Sequence, residues 1–366
     1  GEVCDWNNFQ NLHTSIINSG LSGEAVNPMT FFLYEDNPLR ILQRSKNFFN
    51  QNHKRKELKI NFLKKQKIRI GYFSADFHCN HPLMNSFPSV LSCHDSDKFE
   101  IYIYSFTSEK DKCTDIYKSS SSFFHDIYNL SEEDAVKLIR GDNLDIAVDL
   151  MGYTKKSRAY LFSNRVAPIQ INYLGYPATM GSNMHDYILS DEIIIPKKLE
   201  KFYTEKVLRL TYFFPPNFRA NEKFSLNQLT REQFELPNNA FVFTCFNHNR
   251  KITQKEFDIW MRLLNEIEDS VLWLQKSNDF SNINLKKEAE KRNVNPKRII
   301  FASKLKSLKM HFARYSLGDL GLDTFCYNGH TTTSDALCMG LPVLTKIGKS
   351  FSARVSASIL NSINLN

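Results

Sequence analysis

Asn328-Gly329-His330-Thr331-Thr332 stands where a helix is about to begin, with Thr333, Ser334 and Asp335 after it and Leu320-Gly-Leu-Asp-Thr324 before it. The first backbone N–H groups of a helix have no partner within it and lie at the positive end of its dipole, so an anion docks there. Gly329 lets the chain turn tightly against a ligand, and the threonines add side-chain donors. Asp335, one turn further in, is placed to hold sugar hydroxyls. The implied chemistry is a grip on a diphosphate, although Ser, Thr and Asp are equally what a plain helix N-cap requires. A second group is Phe246-Asn-His-Asn-Arg-Lys251, which leaves an apolar strand and precedes a helix capped by Thr253 and Glu256. It puts His248 and Lys251 at the carboxyl edge of a sheet, where a lysine neutralises a departing phosphate. Taken alone, the segment also reads as a basic surface loop.

His311 and Arg314 are three apart and share a helix face, which either stacks on a base or meets solvent. Lys304 and Lys306, in the segment leaving the preceding strand, are grouped with them on the nucleotide side. In the first half, Ser74-Ala-Asp-Phe-His-Cys-Asn-His-Pro82 sets His78 and His81 in a loop after a strand, each able to act as acid, base or donor. Asp76, Asn80 and Pro82 would also make this a plain turn. Gly152-Tyr-Thr-Lys155 and Gly175-Tyr-Pro-Ala-Thr-Met-Gly181 follow strands, so Tyr153, Gly175 and Thr179 read as parts of substrate-facing loops. No metal site is expected: the D-x-D run Asp95-Ser-Asp97 lies before a strand and reads as a turn.

These loops need a scaffold of strands that point them the same way. From Ile68-Arg-Ile-Gly-Tyr-Phe73, short apolar strands alternate with helices: Phe99–Tyr104, a helix from Ser131 closed at Gly141, then Leu144–Val148. That order predicts a parallel sheet. A second series runs through Phe241–Phe246, a helix from Thr253, Ser270–Leu274, Arg298–Phe301 and Pro342–Thr345. The fold class is α/β, with two Rossmann-like domains in tandem facing across a cleft, since ligands of open α/β sheets bind beyond the strands' carboxyl ends. The expected divisions are a helical lead-in over 1–66, one Rossmann-like domain over 67–215 and a second over 216–366, with an irregular linker from Tyr212 to Asn239.

The 366 residues, 42% hydrophobic, suffice for two cores, and a net charge of +8 is modest for that size. The densest basic run, His53-Lys-Arg-Lys56, lacks any accompanying nucleic-acid signature, so neither nucleic acid nor membrane is expected as a partner. Seven cysteines, an odd number without a C-x-x-C pair, argue against a disulfide framework or a zinc site and for a reducing compartment. No apolar run approaches the ~20 residues of a membrane span. The expected location is cytoplasmic, with a fragment boundary at either end.

Assembled, these segments resemble the catalytic region of the protein O-linked N-acetylglucosamine transferase family, which includes Spindly-type O-fucosyltransferases and bacterial N-glucosyltransferases. The resemblance runs through Cys4-Asp-Trp6, Ile68–Tyr72, Ser74–Phe77, His81-Pro82, Gly152–Lys155, Ala167–Gln170, Leu174–Pro177, Phe246-Asn247, Lys251-Ile252, Ser270–Leu274, Leu322–Thr324, Asn328–Thr332, Gly340–Pro342 and Arg354–Ser358. It implies a GT-B glycosyltransferase with no cofactor and no metal, inverting transfer from UDP-N-acetylglucosamine to Ser or Thr of polypeptides. The residues it assigns are Asn328 through Thr332 on the diphosphate, Asp335 on the ribose, His311 and Arg314 on the nucleoside, Lys251 on the leaving group and His81 near acceptor and sugar. His248-Asn249-Arg250 departs from the usual tripeptide before the lysine. Thr211-Tyr212 stands where many members carry Pro-His, and the family's tetratricopeptide repeats are absent. Glucose transfer to Asn, GDP-fucose as donor, and a degenerate binding module are the alternatives.

Overall fold

The βα alternation forms two parallel sheets in a computed structural model that describes residues 2–365 except 8, 55–59, 61, 80, 82–83, 85–86, 216–228 and 306. Contacts divide the chain into two units. One comprises Asn18–Thr30 and Asn37–Pro216, the other Gly1–Ile17, Phe31–Asp36 and Asn217–Asn366. Residues 1–66 are therefore shared between the units rather than standing as a lead-in of their own. Their helical character holds, in helices Phe9–Asn18 and Pro38–Asn52, the second capped by Asn37 with Pro38 in its first turn.

The first unit's sheet has seven strands: β1 (Ile68–Ser74), β2 (Phe99–Ser105), β3 (Phe123–Asp126), β4 (Ile146–Asp149), β5 (Ile169–Asn172), β6 (Tyr187–Ser190) and β7 (Lys206–Arg209). Their order is β3-β2-β1-β4-β5-β6-β7, with parallel pairing throughout. The direction of winding reverses between β1 and β4, which makes their carboxyl ends the topological switch point. The Ser131 start is as expected, its hydroxyl accepting the Asp134 N–H at 3.1 Å.

The second unit's sheet has β8 (Phe241–Cys245), β9 (Ser270–Gln275), β10 (Ile299–Ala302), β11 (Leu320–Leu322) and β12 (Val343–Leu344) in the order β10-β9-β8-β11-β12. Side chains along a strand alternate between faces. Accordingly Phe243, Cys245, Leu272 and Leu274 enter one core with Phe257, Trp260 and Leu264, while Val242, Val271 and Trp273 enter the other with Phe312, Tyr315 and Met339. Both faces being covered explains why these strands read as continuous apolar runs. The first core also takes Cys4, wholly buried, with Trp6 packed 5.3 Å from the ring of Phe257. The switch point here lies between β8 and β11, from whose carboxyl ends Asn247–Lys251 and Asp323–Thr332 depart.

One further sequence expectation changes. Cys79 and Cys113 form a disulfide, with Cα atoms 5.2 Å apart, so the odd cysteine count does not argue for a reducing compartment. Their separation of 34 residues hides the pairing: each follows the end of one of two adjacent parallel strands, β1 and β2, and only the sheet brings them together. The middle of the expected linker, 216–228, lies outside the described residues. Among the described residues, no helix is long and apolar enough to cross a membrane.

Candidate functional site

Lys251 ends a single 3-10 turn, Asn249–Lys251, squeezed between the end of β8 and the helix Gln254–Glu266. The helix start is fixed by a capping box in which the Thr253 N–H donates to Glu256 at 2.9 Å. The lysine's Nζ donates to the Asn328 carbonyl at 2.8 Å and sits 4.1 Å over the Tyr327 ring. Burial pushes its ammonium pKa down to about 8, against the pull of Asp323. His248 begins the same turn, exposed, with Nδ1 accepting the Arg250 N–H at 3.3 Å. Burial and Arg250 hold its pKa below the usual value.

The turn from Asp323 to His330 delivers the helix Thr331–Cys338, whose start no side chain caps. Its first N–H groups thus retain the anion-binding character expected of them. The cradle is narrower than the sequence suggests. The Asn328 N–H is spent on the Ser352 carbonyl at 2.9 Å and the Gly329 N–H on Asp323 at 2.6 Å. The threonine hydroxyls expected to reach a ligand turn partly inward: Thr332 donates to Asn247 at 2.7 Å, and Thr333 pairs with Ser356 at 2.8 Å. What is left for an anion is the backbone from His330 through Thr332, together with Thr331. His330 Nε2 lies 3.2 Å from the Ser352 carbonyl and therefore carries the proton that bond requires. Burial first, then Lys251, pushes its pKa down to about 3, so the ring is neutral. Asp335 is buried in the first turns of the same helix, near enough to Tyr315 to raise that phenol's pKa.

His311 and Arg314 part company. His311 is half-buried, its ring edge-on to Tyr315 at 5.7 Å. Arg314 has no exposed surface; its guanidinium lies 4.4 Å over the Phe246 ring and donates to the Ser303 carbonyl at 2.9 Å. Expected at the nucleoside, it instead ties the segment after β10 to the floor beneath β8, because the helix Leu308–Ala313 ends just before it and its side chain turns into the core. Lys304 is exposed, and Lys306 lies outside the described residues.

In the seven-stranded unit, His81 is half-buried with Nε2 3.7 Å from Asp76, whose other oxygen lies 3.8 Å from Nε2 of the buried His78. Burial holds the His81 pKa below the usual value, outweighing Asp76, so the ring is neutral and able to accept a proton. The substrate-facing reading of Tyr153, Gly175 and Thr179 does not survive. Tyr153 is 2% exposed, packed on Phe48 and Tyr176, with its hydroxyl donating to the Met180 carbonyl at 2.8 Å. Thr179, equally buried, donates to Glu205 at 2.5 Å. A Cβ on Gly175 would stand 2.0 Å from the Leu150 carbonyl oxygen. Loops at strand ends resemble one another in composition whether they face a ligand or a neighbouring loop. Gly175→Ala is accordingly expected to prevent folding or to lower stability by more than about 3 kcal/mol, since backbone rather than a movable side chain blocks it. Thermal melting checks this, and a fully stable variant with altered kinetics would restore the substrate-facing reading.

Sequence reasoning matched Leu322-Asp-Thr324 as a motif but gave Asp323 and Asn247 no role. Asp323, 3% exposed, gathers hydrogen bonds from Asn247, Thr324, Gly329 and Thr345. The available signal was an acid directly after an apolar strand, at the same edge as Lys251.

Comparisons with known proteins agree on one family. The model described as Glycosyl transferase family 41 matches residues 41–221 and 217–366. A probable UDP-N-acetylglucosamine–peptide N-acetylglucosaminyltransferase SEC of Arabidopsis thaliana is 31% identical over 299 residues, covering 80% of this chain and 30% of that protein. The UDP-N-acetylglucosamine–peptide N-acetylglucosaminyltransferase of Caenorhabditis elegans is 24% identical over 412 residues, 82% of this chain and 36% of that protein. A Lys-to-Met mutant of the Thermobaculum terrenum O-GlcNAc transferase superposes with a TM-score of 0.81 at 25% identity, covering 98% of this chain and 66% of that one. The chain thus spans about a third of the length of the curated relatives it matches.

Proposed function

Because the chain belongs to glycosyl transferase family 41, we propose that it is the catalytic part of a protein glycosyltransferase that moves N-acetylglucosamine from UDP-N-acetylglucosamine to Ser or Thr hydroxyls of polypeptides. Its fold is the GT-B glycosyltransferase type, as the likeness to the Thermobaculum terrenum enzyme shows. The observation that carries the reading is the pairing at one sheet edge of an uncapped helix start with Lys251, a cation held on the carbonyl of the residue before Gly329.

In this proposal the acceptor oxygen attacks the anomeric carbon from the face opposite the diphosphate. The bond from that carbon to the phosphate oxygen breaks with its electron pair, and the sugar's configuration inverts. The charge arriving on UDP meets the ammonium of Lys251 and the N–H groups from His330 to Thr332. Donors already aimed at developing charge need no reorganisation during the step, which is what makes such stabilisation large. The same positive end makes a divalent cation dispensable. In keeping with this, the acid pair Asp95 and Asp97 forms a turn, the Asp97 N–H donating to Asp95 at 3.0 Å beside the ion pair with Lys98. The acceptor's proton is assigned to His81, in support of which stands its neutral ring. Asp335 is assigned to the ribose.

The test is mass spectrometry of a Ser- and Thr-containing peptide after incubation with a panel of nucleotide sugars. The expected product is the peptide bearing N-acetylglucosamine on a hydroxyl. Glucose on Asn, or fucose delivered from its GDP donor, would reassign the substrate within the same fold. UDP binding without any transfer would make the chain a binding module and overturn the proposal.

A further inference from the structure

The peptide unit between Asn328 and Gly329 is held at its two ends by opposite charges. Its carbonyl accepts from the Lys251 ammonium at 2.8 Å, and its N–H donates to Oδ1 of Asp323 at 2.6 Å. The same oxygen takes the Thr324 N–H at 2.8 Å and the Asn247 side-chain amide at 3.0 Å, while Oδ2 takes the Thr345 hydroxyl at 2.7 Å. These donors arrive from beyond β8, β11 and β12, so one buried carboxylate ties together the three strand ends that carry the site. Both oxygens of this carboxylate are thus engaged as hydrogen-bond acceptors. A buried anion requires a cation nearby. Hydrogen bonds arranged head to tail polarise one another, so the bond at one end of the peptide strengthens the bond at the other.

We propose that Asp323 is the positioning residue of the donor site: through the Asn328–Gly329 peptide it aligns Lys251 and supplies its counter-charge, without touching the nucleotide sugar. This rests on the reading of Lys251 as the cation that meets the leaving diphosphate. Burial drives the Lys251 pKa down to about 8, and Asp323 is the foremost influence holding it up. Lys251 is charged below its pKa. Removing the Asp323 charge therefore lowers that pKa further and cuts into the charged range from the alkaline side.

The experiment is UDP affinity, measured by titration calorimetry at a series of pH values on the native chain, Asp323→Asn and Asp323→Glu. Asparagine keeps the shape, and the Thr345 hydroxyl can rotate from donor to acceptor to meet it. Native affinity is expected to fall as pH rises through about 8. In Asp323→Asn the fall is expected to begin roughly one pH unit lower, with affinity about twofold weaker at neutral pH and approaching tenfold weaker above the native midpoint. Asp323→Glu, which keeps the charge, should retain the native alkaline limb. An Asp323→Asn limb at the native position, whatever the affinity, would make Asp323 a scaffold residue only and overturn the inference. Should circular dichroism show that Asp323→Asn does not fold, Asp323→Ser, neutral and small enough to admit a water, is read in the same way. A native chain whose UDP affinity ignores pH would remove Lys251 from the diphosphate and bring down the parent reading with this one. Sugar transfer that fails while the limb shifts as expected would sink the parent reading alone.

Discussion

Lys251→Ala is expected to lower kcat by roughly a hundred- to a thousand-fold while UDP still binds, the loss typical of removing one preorganised stabiliser of developing charge. The ammonium is fixed between the Asn328 carbonyl and the Tyr327 ring, so it is already in place when the sugar–phosphate bond lengthens. Its contribution grows as negative charge gathers on the diphosphate. It therefore acts on the transition state more than on the bound substrate, and kcat should fall more than KM rises. The helix start remains intact in the variant, which is why binding persists. Steady-state kinetics with a peptide acceptor, set beside calorimetric UDP binding, checks both halves. Full activity in Lys251→Ala would remove the leaving-group assignment.

Gly329→Ala should cost both stability and donor affinity. A Cβ at this position would stand 2.5 Å from the Thr332 hydroxyl, 2.7 Å from that of Thr333 and 3.0 Å from Oδ1 of Asn247. None of these atoms is free to move aside: Thr332 is bonded to Asn247, and Thr333 to Ser356, which in turn donates to the Gly329 carbonyl at 2.8 Å. β-Branched side chains are stiff, so the helix start itself must shift. We expect a loss of about 1–3 kcal/mol in stability, the usual range for overpacking, and UDP affinity weaker by about tenfold or more. Gly340→Ala is the control. Gly340 closes the other end of the same helix with φ +76° and has nothing within 4 Å of a would-be Cβ, so strain there should reduce stability and leave UDP affinity unchanged. Equal affinity losses in the two variants would show that the helix start is not where UDP is held.

Particular residues show how far the sequence could be read. The strands β1, β2, β8 and β9 were legible because apolar runs bounded by polar turns need no context, and the Ser131 and Thr253 helix starts were legible because a cap is a local bond. Strands β3, β6 and β7 escaped: they have four residues each, and their neighbours in the sheet, not their own patterns, make them strands. Lys251, His330 and Asp335 were placed at a sheet edge and in a helix's first turns, where the structure has them, because that much depends on local pattern alone. Arg314, Tyr153 and Thr179 were misplaced for the converse reason. A guanidinium, a phenol and a hydroxyl each have a polar tip that suits a ligand and a buried partner equally well, and the partners lie at Ser303, Met180 and Glu205.

The sequence by itself determined the two parallel sheets, the carboxyl-edge position of Asn328–Thr332 and of Lys251, and the family, since these depend on local periodicity, helix-end chemistry and ordered motifs. Only the tertiary structure decided which polar groups remain for a ligand, that Cys79 meets Cys113, and that Asp323 and Lys251 grip one peptide from opposite ends. Each of those depends on segments far apart in the chain being brought within a hydrogen bond or a covalent bond of one another. Nothing in a residue's own neighbourhood records which distant atom will satisfy it.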